Sequence, residues 1–124
     1  MTKALDGIRV IDMTHNQAGP ACAQILAWLG ADVIKLETPG TGDVARAQNN
    51  DELFFLSFNA NKRSLTLNLK SDEGMDLFRK LLAKSDVFLE NFAPGAVARM
   101  GFDFEALQKI NPRLIYATIK GFGT

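Results

Sequence analysis

A strand followed by a short polar turn and an apolar helix is the feature that most constrains how this chain can fold. Residues 8–13 are mostly apolar and rich in β-branched side chains, which favours a strand. The turn over 13–20 follows, and Pro20 suits the first turn of a helix that we predict over 21–29. Asp32–Glu37 then predicts a second strand, so this part is a β-α-β unit with a right-handed crossover. In open α/β sheets, the turn after the first strand lines a ligand crevice.

The remaining sequence continues the alternation of strands and helices. Residues 38–50 are rich in Gly, Pro and Asn, which is typical of an irregular connection. The short apolar run 53–58 fits either a strand or a short helix. The elements predicted after it are a strand at 64–69, a helix at 71–84, a strand at 86–90, helices at 96–100 and 104–110, and a strand at 114–119.

Apolar spacing predicts which faces of these elements are buried. The first helix carries Cys22, Ile25, Leu26 and Leu29 at helical spacing, and we expect them to form its buried stripe. Leucine alternates with polar residues over 64–69, which predicts a strand with one buried face. The sequence therefore predicts an α/β fold, with a Rossmann-like, mostly parallel sheet and flanking helices, and 124 residues are typical of one domain.

Composition excludes several classes of function. The 14 basic and 14 acidic residues give a formal net charge of zero, which argues against a general nucleic-acid or membrane-surface role. No apolar run approaches the roughly 20 residues that span a bilayer. A single cysteine and the lack of a secretory signal pattern predict a cytoplasmic protein. One histidine without clustered cysteines or carboxylates predicts no metal site.

A dinucleotide is the first ligand to consider for the turn. Glu37 ends the second predicted strand, where an acidic residue can hold a ribose, but the turn lacks the G-x-G-x-x-G pattern. Pro20 also removes one amide donor that a pyrophosphate would use. This mismatch argues against a nicotinamide or flavin cofactor. His15 and Gln17 remain as side chains for directed polar chemistry, either as site residues or as anchors of the loop.

Basic side chains beside turns and strand ends are candidates for holding a phosphate-bearing ligand. An equally simple explanation is a solvated surface, because acidic residues lie nearby in the sequence. The residues concerned are Lys62, Arg63, Lys70, Arg99 and Lys120.

Four ordered motifs resemble the N-terminal part of the class III CoA-transferases. They are D-M-T-H-N-Q-A-G-P at 12–20, G-A-D-V-I-K-L-E at 30–37, N-A-N-K-R-S at 59–64, and E-N-F-A-P-G-A with R-M-G within 90–101. The resemblance covers essentially all of the chain. It implies that residues 1–124 are the N-terminal portion of a CoA-binding, Rossmann-like large domain within a larger fold. It further implies a longer chain that forms an interlocked homodimer.

The resemblance also implies a reaction. In this family an aspartate attacks an acyl-CoA thioester to form an acyl-enzyme anhydride, and the released CoA then takes up the acyl group of an acceptor carboxylic acid. Such covalent catalysis divides one difficult exchange into easier steps. The substrates would be acyl-CoA and a small carboxylic acid, with no tightly bound cofactor. The residue matching Gln17 has an auxiliary catalytic role beside the aspartate, as a donor to a developing oxyanion.

The family's CoA contacts can be carried over to matching positions of this sequence. Two departures matter: Thr38 replaces an arginine near the nucleotide end, and the catalytic aspartate lies beyond the matched segment, so the chain alone should not transfer CoA. Acyl-CoA racemisation by the same family and a non-catalytic CoA-binding or interaction module remain alternatives. The implied CoA-site residues are His15, Gln17, Ala18, Leu67, Asn68, Leu69, Lys70, Asn91, Phe92, Ala93, Arg99 and Lys120.

Overall fold

A parallel sheet with flanking helices forms the computed structural model, which describes residues 2–46 and 52–122. Within those residues the sheet has five strands in the order β3-β2-β1-β4-β5. The α/β class predicted from the sequence is thereby confirmed. In chain order the elements are β1 (Arg9–Met13), α1 (Ala18–Trp28), β2 (Asp32–Glu37), a 3₁₀ turn (Val44–Arg46), α2 (Glu52–Asn59), β3 (Arg63–Thr66), α3 (Asp72–Leu82), β4 (Val87–Glu90), α4 (Ala96–Arg99), α5 (Phe104–Ile110) and β5 (Ile115–Thr118).

The strand order creates a switch point beside β1. The chain moves outward from β1 through β2 to β3, and α3 then carries it back across the sheet to β4 on the other side of β1. Ile11 of β1 is paired with Ile34 on one side and with Phe88 on the other. Connections leave β1 and β4 in opposite directions, so the crevice between their carboxyl ends is open to a ligand.

Successive side chains of the strands point to opposite faces of the sheet, and each face contributes to its own apolar cluster. On one face Phe78 of α3 packs edge-on against Phe88 and Phe102, with ring centroids 5.5 and 4.8 Å apart. On the other face Val10 and Val33 pack against the small side chains of α1. No helix among residues 2–46 and 52–122 is long and apolar enough to cross a membrane.

The predicted buried stripe of α1 is wrong. Cys22 and Leu29 are exposed, Ile25 is 54% exposed, and only Leu26 is partly buried. The physical reason is that α1 approaches the sheet closely, and a Cβ at Gly19 would overlap the Thr14 side chain. Small residues at the same helical spacing therefore face the sheet, and α1 begins before the predicted start. The buried residues of α1 are Gly19, Pro20, Ala23, Gln24 and Ala27.

The predicted half-buried strand over 64–69 is also wrong in extent and burial. Only Arg63–Thr66 is a strand, and all four of its residues are exposed. It is the outermost strand next to β2, so its side chains receive little cover. Leu67 and Leu69 leave the strand and pack from the following turn onto the cluster around Phe78. The alternating leucines therefore do not mark a buried strand face, because the two that are partly buried, Leu67 and Leu69, belong to the turn after β3.

The structure confirms the predicted helix after Ser71 and shows which of two structures the ambiguous run 53–58 adopts. Ser71 caps α3 as predicted, its Oγ accepting the N–H of Gly74 at 3.1 Å, and Phe78 is buried. The ambiguous run 53–58 lies within the helix α2. Within the predicted irregular connection, residues 47–50 lie outside the described residues, and the preceding part contains the 3₁₀ turn.

Candidate functional site

A cavity of about 620 Å³ opens at the carboxyl edge of the sheet. Its size falls within the range of roughly 300 to 1,000 Å³ that is usual for small-molecule sites. Apolar side chains from both sides of the switch point dominate its wall. The lining residues are Met13, His15, Leu36, Glu37, Thr38, Pro39, Leu67, Asn68, Leu69, Lys70, Phe92 and Met100.

The turns after β1 and β4 are tied together at the switch point. The backbone N–H of His15 donates to Asn91 Oδ1 at 2.8 Å, and Asn91 Nδ2 donates back to the His15 carbonyl at 2.8 Å. The His15 ring meets Phe92 edge-on, with ring centroids 4.8 Å apart. This reciprocal contact makes one continuous wall of the cavity from two turns that are far apart in sequence.

A buried charge network fixes the turn after β1 from below. Lys35, 2% exposed, pairs with Asp43 at 2.7 Å and donates to the Thr14 carbonyl. Lys62 Nζ donates to Asp12 Oδ2 at 2.8 Å. Burial lowers the pKa of Lys62, although the charge of Asp12 opposes this shift. Separating the two members of such a pair would leave a buried charge without its partner, which is energetically costly. These pairs therefore hold the turn in one position.

Glu37 is buried and fully engaged at the cavity rim. Arg46 donates to both of its oxygens at 2.7 and 2.9 Å, and the Asp43 N–H and Ser64 hydroxyl also donate to it. Burial would raise the Glu37 pKa, but the hydrogen bonds and the Arg46 charge together lower it to about 2. A ribose would have to displace these partners, which gives a structural reason against dinucleotide binding.

The structure brings about half of the sequence-predicted site residues to this cavity. Asn91 bonds to the His15 backbone without lining the cavity itself, whereas Gln17 and Ala18 are exposed at the start of α1 and do not line it. Ala93 and Lys120 line a second, smaller cavity of about 180 Å³, and Arg99 is exposed at the end of α4. The predicted residues that line the main cavity are His15, Leu67, Asn68, Leu69, Lys70 and Phe92.

Most of the predicted phosphate-binding cations are already paired. Lys120 Nζ donates to both oxygens of Glu90 at 2.8 and 2.9 Å and to the Phe92 carbonyl at 2.6 Å. Arg63 pairs with Asp32, and Lys62 with Asp12. Lys70 is exposed on the wall of the main cavity. It is therefore the predicted cation best placed to meet an anionic group there.

Sequence reasoning missed several residues of the cavity. Met13 and Leu36 lie near the carboxyl ends of the adjacent inner strands β1 and β2, a position that the strand order would have indicated. Asp43 does not line the cavity but faces the His15 ring; it lies in the irregular segment after Pro39, and no sequence pattern marked it. Among residues 2–46 and 52–122, no group of three or more His, Cys, Asp or Glu side chains could hold a metal ion.

Comparison with known proteins identifies the family. The family model described as CoA-transferase family III matches residues 5–124. Formyl-CoA:oxalate CoA-transferase of Streptomyces avermitilis is 57% identical over 128 residues, covering 99% of this chain and 31% of that protein. The enzyme of the same name from Afipia carboxidovorans is 56% identical, covering 99% and 30%.

Solved structures agree with these relatives. A CAIB/BAIF family protein from Brucella suis superposes with a TM-score of 0.92 at 41% identity, covering 99% of this chain and 35% of that one. Rv3272 from Mycobacterium tuberculosis superposes with a TM-score of 0.92 at 41% identity, covering 98% and 34%. This chain thus spans about 30% of the length of the curated relatives that it matches. The resemblance found in the four sequence motifs is confirmed, and the chain belongs to CoA-transferase family III.

Proposed function

We propose that this chain supplies part of the coenzyme A site of a CoA-transferase, which exchanges CoA between an acyl-CoA thioester and a small carboxylic acid. The observation that carries the proposal is the cavity at the β1/β4 switch point in a chain of this family. The names of the relatives above indicate formyl-CoA and oxalate as the substrates to test first.

The cavity wall suits the chemistry of coenzyme A. Met13, Leu36, Leu69 and Phe92 offer apolar surface to the pantetheine arm, and aromatic and aliphatic contacts of this kind supply most of the area in small-molecule sites. Lys70 offers an ammonium group to a phosphate at the rim of the same cavity. Thr38 also lines this cavity, at a position where the resemblance to the family implies an arginine, so we expect Lys70 to carry more of the phosphate contact.

The anhydride mechanism requires a nucleophilic carboxylate, and the buried acids of the described residues are committed elsewhere. Each is paired with a cation: Asp12 with Lys62, Glu37 with Arg46, Asp43 with Lys35, and Glu90 with Lys120. The resemblance to the family implies that the nucleophile is an aspartate beyond the matched segment, and we propose the same for this enzyme; the pairing of the buried acids agrees with it. Gln17 is exposed and makes no capping hydrogen bond in α1, so its amide is available to assist such a group.

We further propose that the complete enzyme is a cytoplasmic, interlocked homodimer. Exposed apolar side chains on α1 and α2 support the contact between subunits, because apolar side chains exposed close together on a surface are candidates for contacts with other protein segments. Trp28 is 59% exposed, and Leu53 and Leu56 are exposed on α2.

Calorimetry with coenzyme A and with NAD tests the proposed site. CoA should bind this chain, and NAD should bind at least tenfold more weakly, because Glu37 is already paired. Lys70→Ala should weaken CoA binding about fivefold, the size of one exposed charge-assisted contact, while the matched control Lys80→Ala on α3 should leave it unchanged. Equal binding of NAD, or no heat with CoA, would contradict the proposal.

A transfer assay separates the partial site from a complete enzyme. The purified chain should show no exchange of CoA between formyl-CoA and oxalate, and measurable turnover would refute an external nucleophile. In a longer version that contains the aspartate, solvent exchange of a substrate α-proton without CoA transfer would favour racemisation instead.

A further inference from the structure

His15 is the single histidine of the sequence, and its ring lies between Asp43 and Phe92 on the cavity wall. The ring nitrogen Nδ1 is completely enclosed and has no hydrogen-bond partner within the usual limits. The nearest charged atom is Asp43 Oδ1 at 3.8 Å. A buried polar atom without a partner needs a physical explanation.

Asp43 is held in place by contacts on several sides. Its Oδ1 accepts the N–H of Ala45 at 2.9 Å and that of Asn16 at 3.3 Å, and its Oδ2 lies 2.7 Å from Lys35 Nζ. Burial raises the Asp43 pKa, but the adjacent His15 ring, the Ala45 N–H and the Lys35 ammonium group lower it far below the usual range. The group facing His15 is therefore a fixed carboxylate ion at neutral pH.

A fixed carboxylate beside Nδ1 decides which ring nitrogen carries the proton. A lone pair on Nδ1 would face a negative oxygen in an enclosed space, whereas an N–H at Nδ1 would be attracted to it. The 3.8 Å separation is longer than a hydrogen bond, so the attraction is between the carboxylate charge and the ring N–H across a short enclosed gap. The other nitrogen, Nε2, is neither enclosed nor hydrogen-bonded among the described residues, and His15 lines the cavity.

We propose that Asp43 is a positioning residue that holds His15 as the Nδ1–H tautomer, so that Nε2 accepts a hydrogen bond from a ligand N–H in the cavity. In an acyl-CoA the matching donors are the two amides of the pantetheine arm. The identity of the ligand rests on the proposed function, whereas the tautomer does not. A neighbouring apolar surface on Phe92 strengthens the contact, because it excludes water from the acceptor.

The tautomer is measured directly by ¹⁵N NMR, since a single histidine gives one pair of ring-nitrogen signals. In the ligand-free wild-type chain with a neutral imidazole ring, Nδ1 should carry the proton in most molecules, although free histidine favours Nε2–H. Asp43→Asn should shift the population toward Nε2–H, and the control Asp76→Asn, at an exposed position of α3, should not. A predominant Nε2–H tautomer in the wild type would overturn the proposal, and this decides the matter even if Asp43→Asn does not fold.

Addition of coenzyme A tests the acceptor role. The Nε2 signal should move as it accepts a hydrogen bond, and His15→Phe should weaken CoA binding about tenfold, the size of one hydrogen bond with its desolvation, without changing the urea midpoint. CoA that binds with Nε2 unmoved would overturn the acceptor role alone. An absence of CoA binding would refute both the proposed function and the acceptor role, while the tautomer would still decide the role of Asp43.

Discussion

Buried ion pairs give the carboxyl edge of this sheet its shape. Beneath the first turn Lys62 pairs with Asp12 at 2.8 Å, and Lys35 pairs with Asp43 at 2.7 Å. Such pairs add little net stability compared with an apolar core, but breaking one is costly because the remaining charge stays buried. Their role here is to fix the backbone of the turn that carries His15.

The Glu37–Arg46 pair predicts a loss of stability in acid. Folding lowers the Glu37 pKa from 4.5 to about 2, so the folded state binds this proton less tightly than the unfolded chain. The stabilisation is therefore complete above pH 4.5 and is lost as the pH falls toward 2. With allowance for the partly exposed Arg46, we expect a loss of about 2 kcal/mol, measured by urea denaturation across this range.

Arg46→Gln provides the control for this acid effect. The guanidinium also stacks on Phe55, 3.7 Å from the ring centroid, so the variant should be less stable at neutral pH as well. Its stability should nevertheless depend less on pH between 4.5 and 2 than that of the wild type. An unchanged slope in this range would show that another carboxylate is responsible.

Gln17→Ala should separate function from stability. The side chain is exposed and caps no N–H of α1, so its removal should change the free energy of unfolding by less than about 0.5 kcal/mol. In a longer version with the catalytic aspartate, the same change should lower kcat about 100-fold if the amide stabilises an oxyanion. A comparable loss of folding would assign Gln17 to the loop instead.

The start of α3 and the cavity wall depend on one another. Gly74 lies in the first turn of α3, and a Cβ there would overlap the backbone carbonyl of Asn68. Ser71 bonds to both, accepting from the Gly74 N–H and donating to the Asn68 carbonyl. The close approach of helix and turn places Leu67 and Leu69 against the core and leaves Lys70 at the cavity rim.

Gly74→Ala should therefore destabilise the protein, although Gly→Ala within a helix usually stabilises it by about 0.5 to 1 kcal/mol. Because the overlapping atom belongs to the backbone, we expect a loss of about 1 to 3 kcal/mol in urea denaturation, with weaker CoA binding. Gly121→Ala, where a Cβ meets nothing within 4 Å, is the matched control and should be neutral. Equal stability of the two variants would show that the turn at Asn68 can move away from the added Cβ at little cost in free energy.

The accuracy of sequence prediction followed how local each signal was. The Ser71 cap and the stripe around Phe78 depend on neighbours within one helix, and both were predicted correctly. The buried face of α1 depends on how closely it approaches β1, and spacing could not choose between Ile25 and the small face containing Ala23. Exposure of β3 depends on strand order, which propensity does not contain.

The same distinction applies to the candidate site. The turn after β1 and its carboxyl-edge position were predicted from strand, turn and helix signals, and the residues at 67–70 and Phe92 came from the resemblance to the family. Asp43 and the Glu37–Arg46 pair could not be predicted, because they depend on contacts across an irregular segment. Long-range contacts of this type leave no periodic trace in a sequence.

As a whole, the molecule is a parallel sheet whose switch point lies between β1 and β4. Two apolar clusters hold helices on both faces and leave the carboxyl edge open, where turns from β1, β2, β3 and β4 surround the main cavity. Sequence and structure comparisons assign this arrangement to CoA-transferase family III. The central claim is that the cavity binds coenzyme A.

The most direct test is an amide NMR titration of the ¹⁵N-labelled chain with coenzyme A. We expect the shifted signals to cluster around the cavity, at His15, Leu36, Leu69, Lys70 and Phe92. Signals from the exposed face of α1, such as Trp28, should not move. Shifts centred on α1 or on the smaller cavity, or no shifts at saturating CoA, would contradict the account.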